Sequence, residues 1–229
     1  MSVADPRLTR GMRAMLARRA ERLEAGERPL GWKVGFGSAA AIEALGTDRP
    51  LVGFLGDGAL LGDGATVAIG SWTSPMLEPE IAVHLDADLE EGASWNEVHA
   101  AVRGLSAAIE LADVDFAPSD PETILAGNIY NRHVVLGPVD TSRSRGEDVS
   151  GRLLRNGALV AATDRPEDLT GEIIEVVRLT GELLAASGER LRAGEVVITG
   201  SVVPPFAVSP GETIVAELPP LGSLSVTLD

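Results

Sequence analysis

The sequence has no cysteine, one lysine and one tyrosine among its 229 residues, and aromatic side chains make up 3% of it. Without cysteine there is no disulfide framework, no thiolate metal site and no cysteine nucleophile. That usage fits a reducing cytosol, and a cytoplasmic protein is expected. Basic side chains are scarce too: 19 stand against 34 acidic ones, for a net charge of −15. Such a balance argues against nucleic acid or an anionic membrane as partner. No apolar run approaches the roughly 18 residues of a membrane span, and the N-terminus shows no apolar signal segment. His84, His99 and His133 lack paired ligand spacing, which disfavours zinc. Neither a Gly-x-x-x-x-Gly-Lys-Ser/Thr loop nor a Gly-x-Ser-x-Gly elbow is present, against a P-loop nucleotide site or that type of serine hydrolase.

What is present is unevenly placed. Of 19 basic residues 18 are arginine, and the one lysine, Lys33, lies in Gly31-Trp32-Lys33-Val34-Gly35-Phe36. Arginine stays protonated, whereas a lysine amine can give up and retake a proton when partly buried. The plain alternative is a codon bias that left one lysine by chance. A second signal is Leu77-Glu78-Pro79-Glu80-Ile81-Ala82-Val83-His84-Leu85. Read as a strand, it puts Glu78 and Glu80 on one face and Ile81, Val83 and Leu85 on the other. Alone, this could be a solvated surface pair. Glu110, however, stands inside the apolar run Ser106–Ala112, where an unpaired carboxylate is costly to bury. Three carboxylates that converge make a hard oxygen site for Mg²⁺ or Mn²⁺. His84 continues the Glu80 face, most simply as a structural residue.

Local signals outline the fold. Asp5-Pro6 and Gly26 bound a first amphipathic helix; Ser38 to Gly46 reads as a short capped helix, and Ser94-Trp95-Asn96-Glu97 as a capping box opening another. A further helix is expected from about Thr170 to Gly188, burying Ile173, Val177 and Leu184. Strands are expected at Glu80–Leu85, Leu105–Ala112, Val134–Leu136, Val196–Thr199, Ile214–Leu218 and Leu224–Leu228, with a hairpin turning at Asn156-Gly157. The polar segment Asp140–Ser150 reads as a loop. Strands and helices do not alternate, which disfavours a doubly wound parallel sheet. Gly35-Phe36-Gly37-Ser38-Ala39-Ala40, with Asp57 about twenty residues on, also matches a dinucleotide fingerprint, but no βαβ rhythm follows it.

Gly-Trp-Lys-Val-Gly, Ser38, Glu78-Pro79-Glu80-Ile81-Ala82, Ile109-Glu110-Leu111-Ala112-Asp113 and Val197-Ile198-Thr199-Gly200-Ser201, in that order, resemble the fumarylacetoacetate hydrolase superfamily. The nearer likeness is to its 2-oxopent-4-enoate hydratase and 4-oxalocrotonate decarboxylase branch. It runs from about Leu30 to the C-terminus. The resemblance implies an α+β fold, a β-rich single domain of the fumarylacetoacetate hydrolase C-terminal-like type with mixed, curled sheets around a central metal pocket. An N-terminal helix over residues 1–29 would precede a catalytic domain over 30–229. It further implies that Glu78, Glu80 and Glu110 hold Mg²⁺ (or Mn²⁺), that Lys33 transfers a proton, and that Ser38, Thr199, Gly200 and Ser201 meet the substrate. The implied activity is that of a lyase, a hydratase or decarboxylase of a small 2-oxo acid acting through a metal-stabilised enolate in the catabolism of aromatic compounds, in a homo-oligomer. The alternatives are an acylpyruvate C–C hydrolase with His84 or His133 as base, and a non-catalytic ligand-binding relative. The chain departs from the family at Ala39, where a basic residue is common, and at Gly127–His133, where an Ala-Asp-Asn-type segment is usual. About thirty residues precede Gly31, roughly half the usual number.

Overall fold

The computed structural model describes residues 5–229. Two sheets carry the molecule. The larger has eight strands, in spatial order β2 (Leu51–Gly56), β1 (Pro29–Gly35), β10 (Val196–Ser201), β5 (Pro75–Leu85), β6 (Val102–Asp113), β7 (Asn131–Leu136) and β3 (Leu60–Leu61); β11 (Phe206–Ala207) also pairs with β5. The smaller runs β4 (Ala65–Val67), β13 (Ser223–Leu228), β12 (Thr213–Glu217), β8 (Gly151–Arg155) and β9 (Ala158–Thr163). Among the described residues only β1–β10, β13–β4 and β3–β7 pair in parallel. Because β1 and β2 are antiparallel neighbours, the glycine-rich segment after β1 does not open a parallel βαβ unit, and the dinucleotide reading falls.

Alternation along the central strands separates two environments. Leu77, Ile81, Val83 and Leu85 of β5 enter the main core with Trp32 of β1, Leu111 of β6 and, from the smaller sheet, Leu153, Ile214 and Val226. Helix α1 (Pro6–Glu24) adds Met12 and Met15, and α6 (Ile173–Ala185) adds Ile173, Val177 and Leu184. The opposite face of the larger sheet carries a second, smaller apolar cluster that includes Leu55, Ala82, Ala108, Val134 and Ile198. Lys33, Glu78, Glu80 and Glu110 belong to that face.

Most helix ends follow the sequence signals. Asp5 caps α1 and Ser38 caps α2 (Ala39–Leu45), which closes on Gly46; Ser94 and Glu97 form the capping box of α3 (Trp95–Ala101). The helix expected over 170–188 is instead broken at Gly171, whose φ of +82° ends α5 (Glu167–Thr170) before Glu172 caps α6. Helix α4 (Pro121–Ala126) was not anticipated, although Asp120 caps it and Pro121 occupies its first turn. The hairpin β8–β9 turns on Asn156 and Gly157 with φ of 50° and 81°, as a type I′ turn needs. Among the described residues no helix is long and apolar enough to cross a membrane.

Pro79 sits in β5, a central strand, where its missing N–H removes a ladder bond. The Pro79 carbonyl accepts from Val202 N–H at 2.8 Å, so the proline nitrogen also faces β10. There the register of β10 slips between Ile198 and Ser201. Gly200, at φ +100°, is part of that irregularity. The bulge lies where the proline cannot donate, and it turns the Gly200 N–H onto Glu80 instead.

Candidate active site

Strand pairing assembles the site. Glu78 of β5 lies directly opposite Glu110 of β6, and Glu80 opposite Ser201 of β10. Glu80, Glu110 and Lys33 are essentially removed from water, and Thr199 is buried beside them. The Lys33 ammonium donates to Glu110 Oε1 and to the Ile129 carbonyl at 3.0 Å. An ammonium has three N–H groups, so one remains for the cavity that Lys33 lines. Asn131 Nδ2 donates to the same Glu110 oxygen at 2.8 Å. Glu80 Oε2 accepts from Gly200 N–H at 2.7 Å, while Glu80 Oε1 is buried with no partner.

These groups meet a cavity of about 430 Å³. Lys33, Glu78, Glu110, Ser38, Thr199, Gly200 and Ser201 line it, and Glu80 stands behind. The hydroxyls are already engaged. Thr199 donates to the Ile81 carbonyl at 3.0 Å and Ser201 to the Val203 carbonyl at 2.5 Å. Ser38 Oγ accepts from Ala41 N–H as the α2 cap, which leaves its own O–H free to donate.

Burial, then the neighbouring Glu110 charge, push the Glu78 carboxyl up to about 7 against the relief given by Lys33. The same causes, with Glu78 added, hold Glu80 well above the ordinary carboxylate range. The cluster is therefore short of positive charge. Yet among the described residues no three His, Asp or Glu side chains are gathered as around an ion. Glu110 turns to Lys33 and Asn131, and Glu80 to Gly200. The three carboxylates expected to converge are neighbours on one face, without their oxygens meeting at one point. A divalent cation fits the residues on two counts: an orphaned, buried carboxylate oxygen, and three acids facing one lysine.

The sequence reading missed a left-handed turn. Asn128, Ile129 and Tyr130 are buried and have φ of 57°, 50° and 61° in succession. Such angles are strained for any side chain and most for a β-branched one. The Asn128 amide clamps the turn to the outer edge of β2, accepting from Phe54 N–H at 2.8 Å and donating to the Phe54 carbonyl at 2.9 Å. A Cβ at Gly53 would lie 2.8 Å from Asn128 Oδ1 and 3.1 Å from Lys33 Cγ, so only glycine leaves room for both. The turn is what aims the Ile129 carbonyl at Lys33. Asn128→Ala is expected to cost roughly 2–4 kcal/mol of stability, from two lost hydrogen bonds and a worse left-handed residue. Urea unfolding measures this, and a change below about 0.5 kcal/mol, the surface range, would show that the clamp does not hold the turn.

Neither histidine nominated as a base lines the cavity. His133 pairs with Leu111, on the face opposite Glu110, and stacks on Trp72. His84 shares the Glu80 face, but its Nε2 bonds Ser106 Oγ at 2.9 Å. Burial, then Arg103, lower its pKa to about 4. Below pH 6.5 the unfolded chain protonates this ring and the fold does not, so stability present above pH 6.5 is lost toward pH 4. At pH 4.5 the loss amounts to roughly 2–3 kcal/mol. His84→Gln should lose less on going from pH 7 to 4.5 in urea titrations, and equal losses would refute the assignment.

A curled, mostly antiparallel β-fold with an acidic cluster and one lysine at the wall of an apolar cavity defines a class, that of β-rich proteins with a small-molecule pocket walled by carboxylates. The chain belongs to the fumarylacetoacetate (FAA) hydrolase C-terminal family, whose profile matches residues 32–229. It is 30% identical over 215 residues to a 4-oxalocrotonate decarboxylase of a Pseudomonas species, covering 90% of this chain and 81% of that one. To a 2-keto-4-pentenoate hydratase of Burkholderia vietnamiensis it is 31% identical over 214 residues, covering 88% and 79%. The solved structure of 4-oxalocrotonate decarboxylase from Pseudomonas putida G7, complexed with magnesium and adipate, superposes with a TM-score of 0.87 at 25% identity, covering 94% of this chain and 83% of that one.

Proposed function

We propose that the protein is a divalent-metal-dependent lyase, a hydratase or decarboxylase of a small unsaturated 2-oxo acid. The observation that carries this is the Lys33–Glu110–Glu78 wall of the cavity, with the unpartnered Glu80 oxygen behind it. Glu78, Glu80 and Glu110 would hold Mg²⁺ or Mn²⁺, hard ions suited to carboxylate oxygens. Bound there, the ion supplies Lewis-acid polarisation and a template for the 2-oxo carboxylate. The chain's own residues do the rest. Lys33, fixed by Glu110 and the Ile129 carbonyl, presents its remaining N–H to the substrate and moves the proton at carbon. Ser38 donates its free O–H to a substrate oxygen, and Thr199 and Ser201 offer lone pairs from positions their own hydrogen bonds keep fixed. A relative of 4-oxalocrotonate decarboxylase and of 2-keto-4-pentenoate hydratase at this identity supports the same reaction class.

The hydrolytic alternative needs a base to activate water, and both histidines available for that role lie off the cavity. Self-association fits the β9 edge, which bears no charged residue and exposes Leu159 and Val160; sedimentation as a monomer at micromolar concentration would count against it. The function itself is tested by assaying a panel of 2-oxo acids with Mg²⁺ or Mn²⁺, beside binding of oxalate and pyruvate. Metal-dependent turnover of a member is expected. Oxalate binding with no turnover would leave only a ligand-binding relative, and neither binding nor turnover would remove the reading.

A further inference from the structure

Charge is distributed very unevenly around the cavity. Among the described residues lining it there is one cation, Lys33, and it already serves Glu110 and the Ile129 carbonyl. The exposed rim is formed by Pro118, Leu169, Pro204 and Pro205, with Gly37 next to Ser38. Prolines offer no backbone N–H, so three of these five positions cannot donate to an anion even through the main chain. Between rim and acids, Phe36, Met76 and Val114 continue the apolar wall. The arginines next along the chain are committed elsewhere. Arg132 reaches Asp115 at 2.9 Å and Asp113 at 3.4 Å, and Arg165 reaches Asp168 at 3.0 Å.

An anion placed against Pro118, Leu169, Pro204, Pro205, Phe36, Met76 and Val114 loses water and gains neither a counter-charge nor a side-chain donor, which is costly. A hydrocarbon group placed there gains by leaving water. At about 430 Å³ the cavity also has room for a chain longer than five carbons.

We propose that the acid taken by this site carries a single carboxylate, held at the Lys33–Glu78–Glu110 end, and an uncharged hydrocarbon group against Phe36, Met76, Val114 and Leu169. This rests on the 2-oxo acid reading above and narrows it. A diacid would have to place its second carboxylate against the apolar wall or the proline rim, so the assignment favours hydration of a monoacid over decarboxylation of a diacid.

The test uses the full-length protein with saturating Mg²⁺ and a matched pair of ligands, 2-oxohexanoate and 2-oxohexanedioate, which differ by CH₃ against COO⁻ at the far end. Pyruvate and 2-oxooctanoate complete the series, and calorimetry reads the affinities. The monoacid is expected to bind at least about tenfold more tightly than the diacid, and the two extra methylenes of 2-oxooctanoate to add about another tenfold. Leu169→Arg, at an exposed rim position, should shift the monoacid-to-diacid ratio several-fold toward the diacid. A diacid that binds as tightly as the monoacid overturns the proposal. A ratio unmoved by the arginine would take Leu169 out of the hydrocarbon's surroundings. Failure of pyruvate to bind in the presence of Mg²⁺ is a separate result, for it would remove the 2-oxo acid reading itself.

Discussion

Glu80→Gln is expected to remove most of the thermal stabilisation that Mg²⁺ gives the protein while leaving the metal-free form at least as stable as before. The reason lies in the carboxylate's position. It is fully buried between β10 and β6, with one oxygen on Gly200 N–H and the other without a partner. Burial, then Glu110 and Glu78, raise its pKa well above the ordinary range. A carboxyl raised by folding contributes stability at low pH that is lost as pH rises through its folded value. At neutral pH this buried carboxyl therefore costs the metal-free fold stability that is present at low pH. Glutamine removes the ionisable group, and its amide oxygen can still accept from Gly200. For the ion the change is in the opposite sense, because one anionic ligand of three is gone. Outer-shell substitutions at metal sites already cost about 10–100-fold in affinity, so a loss of at least about 100-fold is expected here. At a Mg²⁺ concentration about 100 times the wild-type Kd, linkage gives about 2.7 kcal/mol to the wild type and about 0.4 kcal/mol to the variant. For a chain of this size that separates a shift of roughly 5–10 °C from one of about 1 °C. A variant stabilised by Mg²⁺ as strongly as the wild type would end the assignment of Glu80 to the ion.

The parts of this site that could be read from sequence are those whose signal is local. Glu78 and Glu80, two apart on a strand, had to share a face, and Glu110 stood out because its neighbours were apolar. The caps at Asp5, Ser38 and Ser94 and the Asn156-Gly157 hairpin are likewise written within a few residues. The Asp120-Pro121 cap of α4 and the Gly171 break before α6 carried equally local signals and went unread. The rest depends on long-range contact. Lys33 meets the Ile129 carbonyl across 96 positions and Asn128 meets Phe54 across 74, so no window reveals that a strained turn holds the amine. Pro79 forfeits a ladder bond in a central strand, and only the bulge in β10 explains how the strand accommodates it. The carboxylates, expected to meet at a point, spread instead toward Lys33 and Gly200, because their hydrogen-bond partners come from β1 and β10. The apolar rim, Pro118, Leu169 and Pro204-Pro205, is dispersed over three separate segments of the chain and has no sequence pattern at all.

Lys33→Arg is expected to lower turnover by roughly 10²–10⁴-fold, the usual share of general acid–base catalysis, with Mg²⁺ affinity unchanged. The substitution is chosen because the obvious one is ambiguous. Lys33→Met would leave Glu110 buried beside Asn131 with no counter-charge, and breaking a buried pair in this way costs roughly 3–5 kcal/mol. Lost activity could then reflect a damaged fold. Arginine keeps the positive charge and retains N–H donors for Glu110 and the Ile129 carbonyl, but it cannot deprotonate near neutrality. The two readings of Lys33 therefore part company. A proton-transfer group fails when replaced by arginine, and fails in kcat, while oxalate still binds with Mg²⁺ to within several-fold. An electrostatic clamp survives the replacement. Single-turnover rates, oxalate calorimetry and thermal unfolding of the same preparation separate the cases, since a misfolded variant would show in all three. An arginine variant that turns over at close to the wild-type rate would leave Lys33 the role of holding Glu110 and nothing more, and the proton would have to come from elsewhere in the cavity, where Tyr130, raised to about 12 by burial and then Asp115, is the one other titratable donor on its wall apart from the carboxyls.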